Sequence, residues 1–156
     1  DRIVTVSGDA VHEPGNFKVP FGMNQAELIE AAGGYKVDPE KIISGGPMMG
    51  FSMFTVDVPV TKTSSSILCF TKDEVAQYEP TACINCGRCV EVCPSRLIPS
   101  RLADYAEHHD EEAFTKHEGL ECMECGSCSY VCPAKRQLKQ AIGSMRKTAL
   151  ANRKKK

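Results

Sequence analysis

Apolar positions in the first seventy residues come in short runs set among polar neighbours, whereas those after residue 95 recur at helical spacing. Arg2 to Ser7 reads R-I-V-T-V-S, a β-branched run that predicts a strand. Asn16 to Pro20, with Phe17 and Val19 alternating, predicts a second strand that closes a hairpin over the loop from Gly8 to Gly15. Asn24 with Glu27 three positions on is an N-terminal capping pair. Leu28, Ile29, Ala31 and Ala32 supply the apolar face of the helix it opens, and Gly33-Gly34 stops it.

Lys41 to Ser44 reads as a strand, Gly45-Gly46-Pro47-Met48-Met49-Gly50 as a tight turn, Phe51 to Val60 as a second strand, and Ser66 to Phe70 as a third. Met48 and Met49 read as gap-fillers of a small core. Strands, one helix, then more strands predict an α+β fold of the β-grasp kind over residues 1–70. Thr71-Lys72-Asp73-Glu74 is another capping pattern, predicting a helix to about Tyr78 before Pro80. Leu97, Ile98, Leu102, Tyr105 and Ala106 predict a helix, and Asp110 to His117 a shorter one ending near Gly119. Leu138, Ala141, Ile142 and Met145 line one stripe of a last helix. Residues 71–150 therefore read as a helical domain and residues 151–156 as a basic tail.

The cysteines change the picture. Eight of nine fall in two blocks, Cys83-x2-Cys86-x2-Cys89-x3-Cys93-Pro94 and Cys122-x2-Cys125-x2-Cys128-x3-Cys132-Pro133. This is the spacing of bacterial ferredoxin-type iron-sulfur ligation, in which the fourth cysteine of each run serves the other cluster. It predicts two 4Fe-4S clusters, one on Cys83, Cys86, Cys89 and Cys132, the other on Cys122, Cys125, Cys128 and Cys93. Gly87 and Gly126 sit where a positive φ turns backbone amides toward sulfur. Pro94 and Pro133 hold the preceding cysteine extended. Tetrahedral zinc wants paired C-x2-C knuckles set apart, and the third cysteine of each block is surplus to that. A disulfide framework suits a small secreted chain, whereas here one half of the sequence is nearly free of cysteine. Cys69, alone in an apolar run, reads as a core residue, and His12, His108, His109 and His117 as surface residues.

Composition adds bounds. The chain has 156 residues, 42% hydrophobic and 25% charged, with no apolar run of membrane-spanning length. Thiolates in this number predict a reducing, cytoplasmic setting. The net charge of −1 conceals an asymmetry, since the nine Lys and Arg from Lys135 onward meet no acid in that stretch. The tail is expected to be a docking element for an anionic membrane or acidic partner. No nucleic-acid partner is expected. The first residue is Asp and a strand begins at once, which reads as a piece of a longer protein.

The order of Ile43-Ser44-Gly45-Gly46-Pro47-Met48-Met49-Gly50, Val58-Pro59-Val60-Thr61-Lys62 and the twin cysteine blocks resembles the C-terminal half of the RnfC family, a component of the Rnf electron-transport complexes. The resemblance covers nearly the whole chain. It implies a β-grasp domain of the SLBB (soluble-ligand-binding) type followed by an α-helical dicluster ferredoxin domain. It implies an electron relay within a membrane-associated ferredoxin:NAD oxidoreductase that couples electron flow to ion translocation, peripheral on the cytoplasmic side of the membrane. Its partners would be the other subunits and a redox protein such as ferredoxin, and the FMN and NAD sites would lie on an upstream part of the same polypeptide. No catalytic acid, base or nucleophile is expected, and no G-x-G-x-x-G fingerprint is present. The alternatives are an iron-sulfur adaptor of the heterodisulfide reductase or succinate dehydrogenase type, and a ligand-binding module with structural clusters.

Overall fold

The computed structural model describes residues 1–154, and its contacts divide the chain between Gln77 and Tyr78 into two compact units. In the first unit, strands β1 (Arg2–Ser7), β2 (Gly15–Val19), β3 (Lys41–Ser44), β4 (Phe51–Met53) and β5 (Ser66–Phe70) form one sheet in the order β2-β1-β5-β3-β4. β1 pairs parallel with β5, with Val6 opposite Ile67, and every other pairing is antiparallel. A parallel central pair flanked by two hairpins, with helix α1 (Gln25–Ala31) on one face, is the β-grasp arrangement expected from the sequence.

The period of two explains which face is buried. Val4 and Val6 are fully buried, while Ile3, one position earlier on β1, is exposed. Ile67 and Cys69 repeat the pattern on β5, and Leu28, Ile29 and Ala32 close the layer from α1. Cys69 is thus a core residue, and burial pushes its thiol up to about 11. Asn24 caps α1, its Oδ1 accepting from the Ala26 N–H at 2.9 Å. Gly8 has φ +120° and a Cβ built on it would collide with the Cys69 carbonyl oxygen, so the chain leaves β1 along a path open only to glycine.

Four expectations change here. The strand expected over Phe51 to Val60 ends at Met53, because Val58 and Val60 pair with the entrance to α1: Gln25 N–H donates to Val58 O, and Val60 N–H to Met23 O. Thr71 to Tyr78 forms a turn and not a helix. Val75 and Tyr78 are exposed, so that segment has no apolar face to bury, and a helix this short does not hold without one. It also stays with the sheet: Thr71 N–H donates to Asp9 at 2.9 Å, and Lys41 Nζ bonds Asp73 at 2.6 Å. Residues 71–77 therefore belong to the first unit, not to the helical domain. Met48 and Met49 are exposed, so they fill no core.

The second unit is helical. It comprises α2 (Arg88–Glu91), α3 (Pro99–Glu107), α4 (Glu111–Lys116), a 3-10 turn (Gly119–Glu121), α5 (Ser127–Tyr130) and α6 (Leu138–Arg153). Leu102, Leu138, Ile142 and Met145, from the stripes read on α3 and α6, form its core together with Ala103 and with Phe114 of α4. Ile98 falls outside the stripe because it is the N-cap of α3, with Pro99 supplying the first helical φ. Asp110 caps α4 by accepting from the Ala113 N–H at 2.9 Å. Helix α6 runs through Arg153, and Asn152 Nδ2 donates to Glu111 at 2.7 Å. The expected basic tail therefore begins inside a packed helix, and its Lys155 and Lys156 lie outside the described residues.

Candidate metal centre

The two cysteine blocks fold alike. In each, the first two cysteines lie on chain without regular structure, a glycine turns left-handed, and the third cysteine sits on a single helical turn, Cys89 on α2 and Cys128 on α5. Gly87 and Gly126 have φ of 76° and 85°, the positive values expected of them. The likeness extends to residues the sequence did not single out. Asn85 and Glu124, then Arg96 and Lys135, occupy corresponding places and all take φ of 54° or 55°. Each block then delivers its chain to a longer helix, α3 or α6. The single turns α2 and α5 were not predicted, since four residues carry too little periodicity to read.

Two hollows result. One is lined by Cys122, Cys125 and Cys128 with Cys93 from the first block; the other by Cys83, Cys86 and Cys89 with Cys132 from the second. Leu97, Leu102 and Ile142 wall the former, Ile84 and Leu138 the latter. Backbone amides reach sulfur in the first hollow, Leu97 N–H to Cys93 Sγ at 3.3 Å and Glu124 N–H to Cys122 Sγ at 3.4 Å. Cys125 Sγ lies 3.5 Å from Ser127 Oγ.

The sulfurs differ in their surroundings. Burial pushes the Cys128 thiol up to about 11 and raises Cys122, to which the Glu124 carboxylate adds. The Ser127 hydroxyl and amide lower Cys125. A buried thiolate is thus costly until iron compensates its charge. Cys83 and Cys86 are exposed, while the other six are half-buried. Soft sulfur donors in fours, walled by apolar side chains and in the first hollow approached by amide N–H groups, fit an iron-sulfur cluster.

Basic residues that meet no acid in their own stretch of sequence turn out to hold this region together. Arg136, whose side chain is 12% exposed, reaches Asp104 at 2.8 Å and Glu107 at 2.9 Å beside the second hollow. Its burial opposes the charge, but the two carboxylates outweigh this and its pKa is raised. Arg146 donates to Leu120 O at 2.9 Å and pairs with Glu124 at 3.4 Å, fixing the loop that carries Cys122 and Cys125. Lys135 lies 4.5 Å over the Tyr78 ring. Sequence reasoning missed these pairs because their acids lie some twenty to thirty residues away on other elements. The histidines are exposed: His108 Nδ1 bonds the Asp104 carbonyl and His117 stacks on Tyr105.

Comparison with known proteins decides the family. An SLBB domain model matches residues 3–52 and a 4Fe-4S dicluster domain model matches residues 82–136. Over 154 residues, 99% of this chain, the sequence is 42% identical to the C component of the Na+-translocating ferredoxin:NAD+ oxidoreductase complex of Acetobacterium woodii, covering 35% of that protein. The chain belongs to the RnfC family. It is also 47% identical over 65% of its length to the C component of the proton-translocating ferredoxin:NAD+ oxidoreductase complex of Clostridium ljungdahlii, covering 22% of it. A third relative, the C component of the ion-translocating oxidoreductase complex of Yersinia enterocolitica, is 40% identical over 75% of the chain and covered to 17%. The chain therefore spans about a third or less of the length of these curated relatives. Its fold is α+β, an SLBB domain followed by a helical dicluster domain that carries two 4Fe-4S clusters.

Proposed function

We propose that this chain relays electrons through its two 4Fe-4S clusters within a membrane-associated ferredoxin:NAD oxidoreductase of the Rnf type, whose electron flow drives ion translocation. One observation carries the reading: each hollow gathers three cysteines from one block and the fourth from the other. On this basis Cys83, Cys86, Cys89 and Cys132 ligate one cluster, and Cys122, Cys125, Cys128 and Cys93 the other. The clusters supply one-electron oxidation and reduction, and no proton need move. The chain's own residues bind, space and insulate them. Leu97, Leu102 and Ile142 keep water from the more buried set, and the amides of Leu97 and Glu124 stabilise negative charge on its sulfurs. Exposure of Cys83 and Cys86 makes their side of the domain the one where a redox partner such as ferredoxin approaches.

The chain is held to the complex peripherally on the cytoplasmic side. Among the described residues no helix is long and apolar enough to cross a membrane, and basic residues crowd toward the chain's end. Anaerobic reconstitution should load about eight iron and about eight sulfide per chain. In Cys93→Ser, electron paramagnetic resonance should lose or shift the signal of the cluster on Cys122, Cys125 and Cys128, and keep the other. Half the iron in the unaltered chain, or loss of the signal assigned to Cys83, Cys86 and Cys89, sinks the ligand assignment.

A further inference from the structure

In the sheet domain, a cleft of about 460 Å³ opens between the N-terminus of α1, the end of β3, β4 and the chain from Val58 to Ser64. Its size falls within the roughly 300–1,000 Å³ of small-molecule sites. Phe51, Met53, Phe54, Val58 and Pro59 give it apolar walls, and among the described residues no charged side chain lines it. Gln25 lines it too. That residue is 3% exposed, its backbone N–H is already spent on Val58 O, and its side-chain Oε1 has no hydrogen-bond partner. A buried acceptor left unpaired costs free energy that a partner would recover.

The chemistry narrows the ligand. An uncharged lining disfavours ions, because a charge brought there would meet hydroxyls of Ser44, Thr61 and Ser64 but no opposite charge to offset the hydration it loses. A carboxamide presents one acceptor beside one donor, the complement of a group with N–H next to C=O. Phe51 and Phe54 line the same cleft, and Phe54 is fully exposed, leaving a whole ring face free for stacking. We infer that the sheet domain binds an uncharged planar heterocycle with a ring amide or imide edge, which pairs with the Gln25 carboxamide while its apolar body lies against Phe51 and Phe54. This site is independent of the cysteine hollows and of the electron relay proposed above.

The test uses lumichrome, a neutral fluorescent tricycle with an imide edge, titrated with the intact cluster-loaded chain under anaerobic conditions. Saturable 1:1 binding is expected. Gln25→Met keeps the side chain's bulk and removes the pairing edge, and should weaken binding roughly tenfold, the worth of one buried hydrogen bond. Phe54→Ala changes an exposed residue that the fold does not need, and should weaken it at least about fivefold through lost stacking. Circular dichroism of both variants should match the parent. Failure of lumichrome to saturate, or equal binding by parent and Gln25→Met, overturns the site. Weakening by Phe54→Ala alone also overturns it and leaves only stacking on an exposed ring.

Discussion

Removing the Phe114 ring should loosen the helical domain by an amount that the structure sets. Phe114 is fully buried on α4, a helix of only six residues that propensity alone does not hold. Its ring fills the space beside Gly119, where an added Cβ would sit 2.5 Å from ring carbons. The surroundings cannot collapse into the gap left by Phe114→Ala without moving the 3-10 turn that leads into Cys122, so the full cost of about 3–5 kcal/mol applies. A domain of roughly eighty residues holds about 4–12 kcal/mol in all. Hydrogen exchange of the loaded chain, followed by mass spectrometry, reads this difference as opening equilibria. Amides of α4 and the middle of α6 should exchange roughly 150- to 5,000-fold faster, with sheet peptides unchanged as the internal reference. Acceleration below about fivefold would mean that Phe114 does not anchor α4, and would refute the reasoning.

Other perturbations follow from the same geometry. Gly8→Ala places a methyl against the Cys69 carbonyl at a left-handed φ and should destabilise the sheet domain by more than about 3 kcal/mol, seen as a lower melting temperature or insoluble chain. The bond from Lys41 holds the Asp73 carboxyl below its ordinary 3.8, so its stabilisation is complete above that value and fades as pH falls through the lower folded value. Lys41→Met should remove that acid-side slope in thermal melts and leave neutral-pH behaviour of the helical domain alone. Truncation after Arg153 keeps the Asn152 bond to Glu111 and removes three lysines, each worth about 1 kcal/mol near an anionic surface. Binding to anionic vesicles at low salt should fall with cluster spectra intact; unchanged binding across a salt series returns the tail to a solvated end.

What the sequence revealed depended on how local the cause was. The β1–β2 hairpin, α1 and the stripes of α3 and α6 rest on alternation or 3.6 periodicity within one segment, and apart from Ile98 they appear where read. So do the positive φ values at Gly87 and Gly126, which the ligand spacing requires. The failures have distant causes. Whether Phe51 to Val60 stays in one strand depends on Met23 and Gln25, which capture Val60 and Val58. Thr71 to Glu74 satisfies a capping pattern, yet Asp73 is claimed by Lys41 from β3 and no apolar face follows. The Gln25 carboxamide was invisible for a similar reason, because its cleft is walled by β4 and the Val58 to Ser64 chain, brought together only by the fold. Arg136 and Arg146 looked like part of a uniform basic end, and only tertiary structure shows which acids they meet.

The proposed exchange of the fourth cysteine between blocks has a consequence for biosynthesis. Neither hollow has its full set of sulfurs until the second block is made, because Cys83, Cys86 and Cys89 wait for Cys132 and Cys93 waits for Cys122, Cys125 and Cys128. A nascent chain halted between the blocks would present four thiols, three in one incomplete set and one belonging elsewhere, with nothing to close around a delivered cluster. On the proposed ligation maturation waits for the second block, and a product stalled or terminated before Cys122 should emerge without iron and not half-loaded.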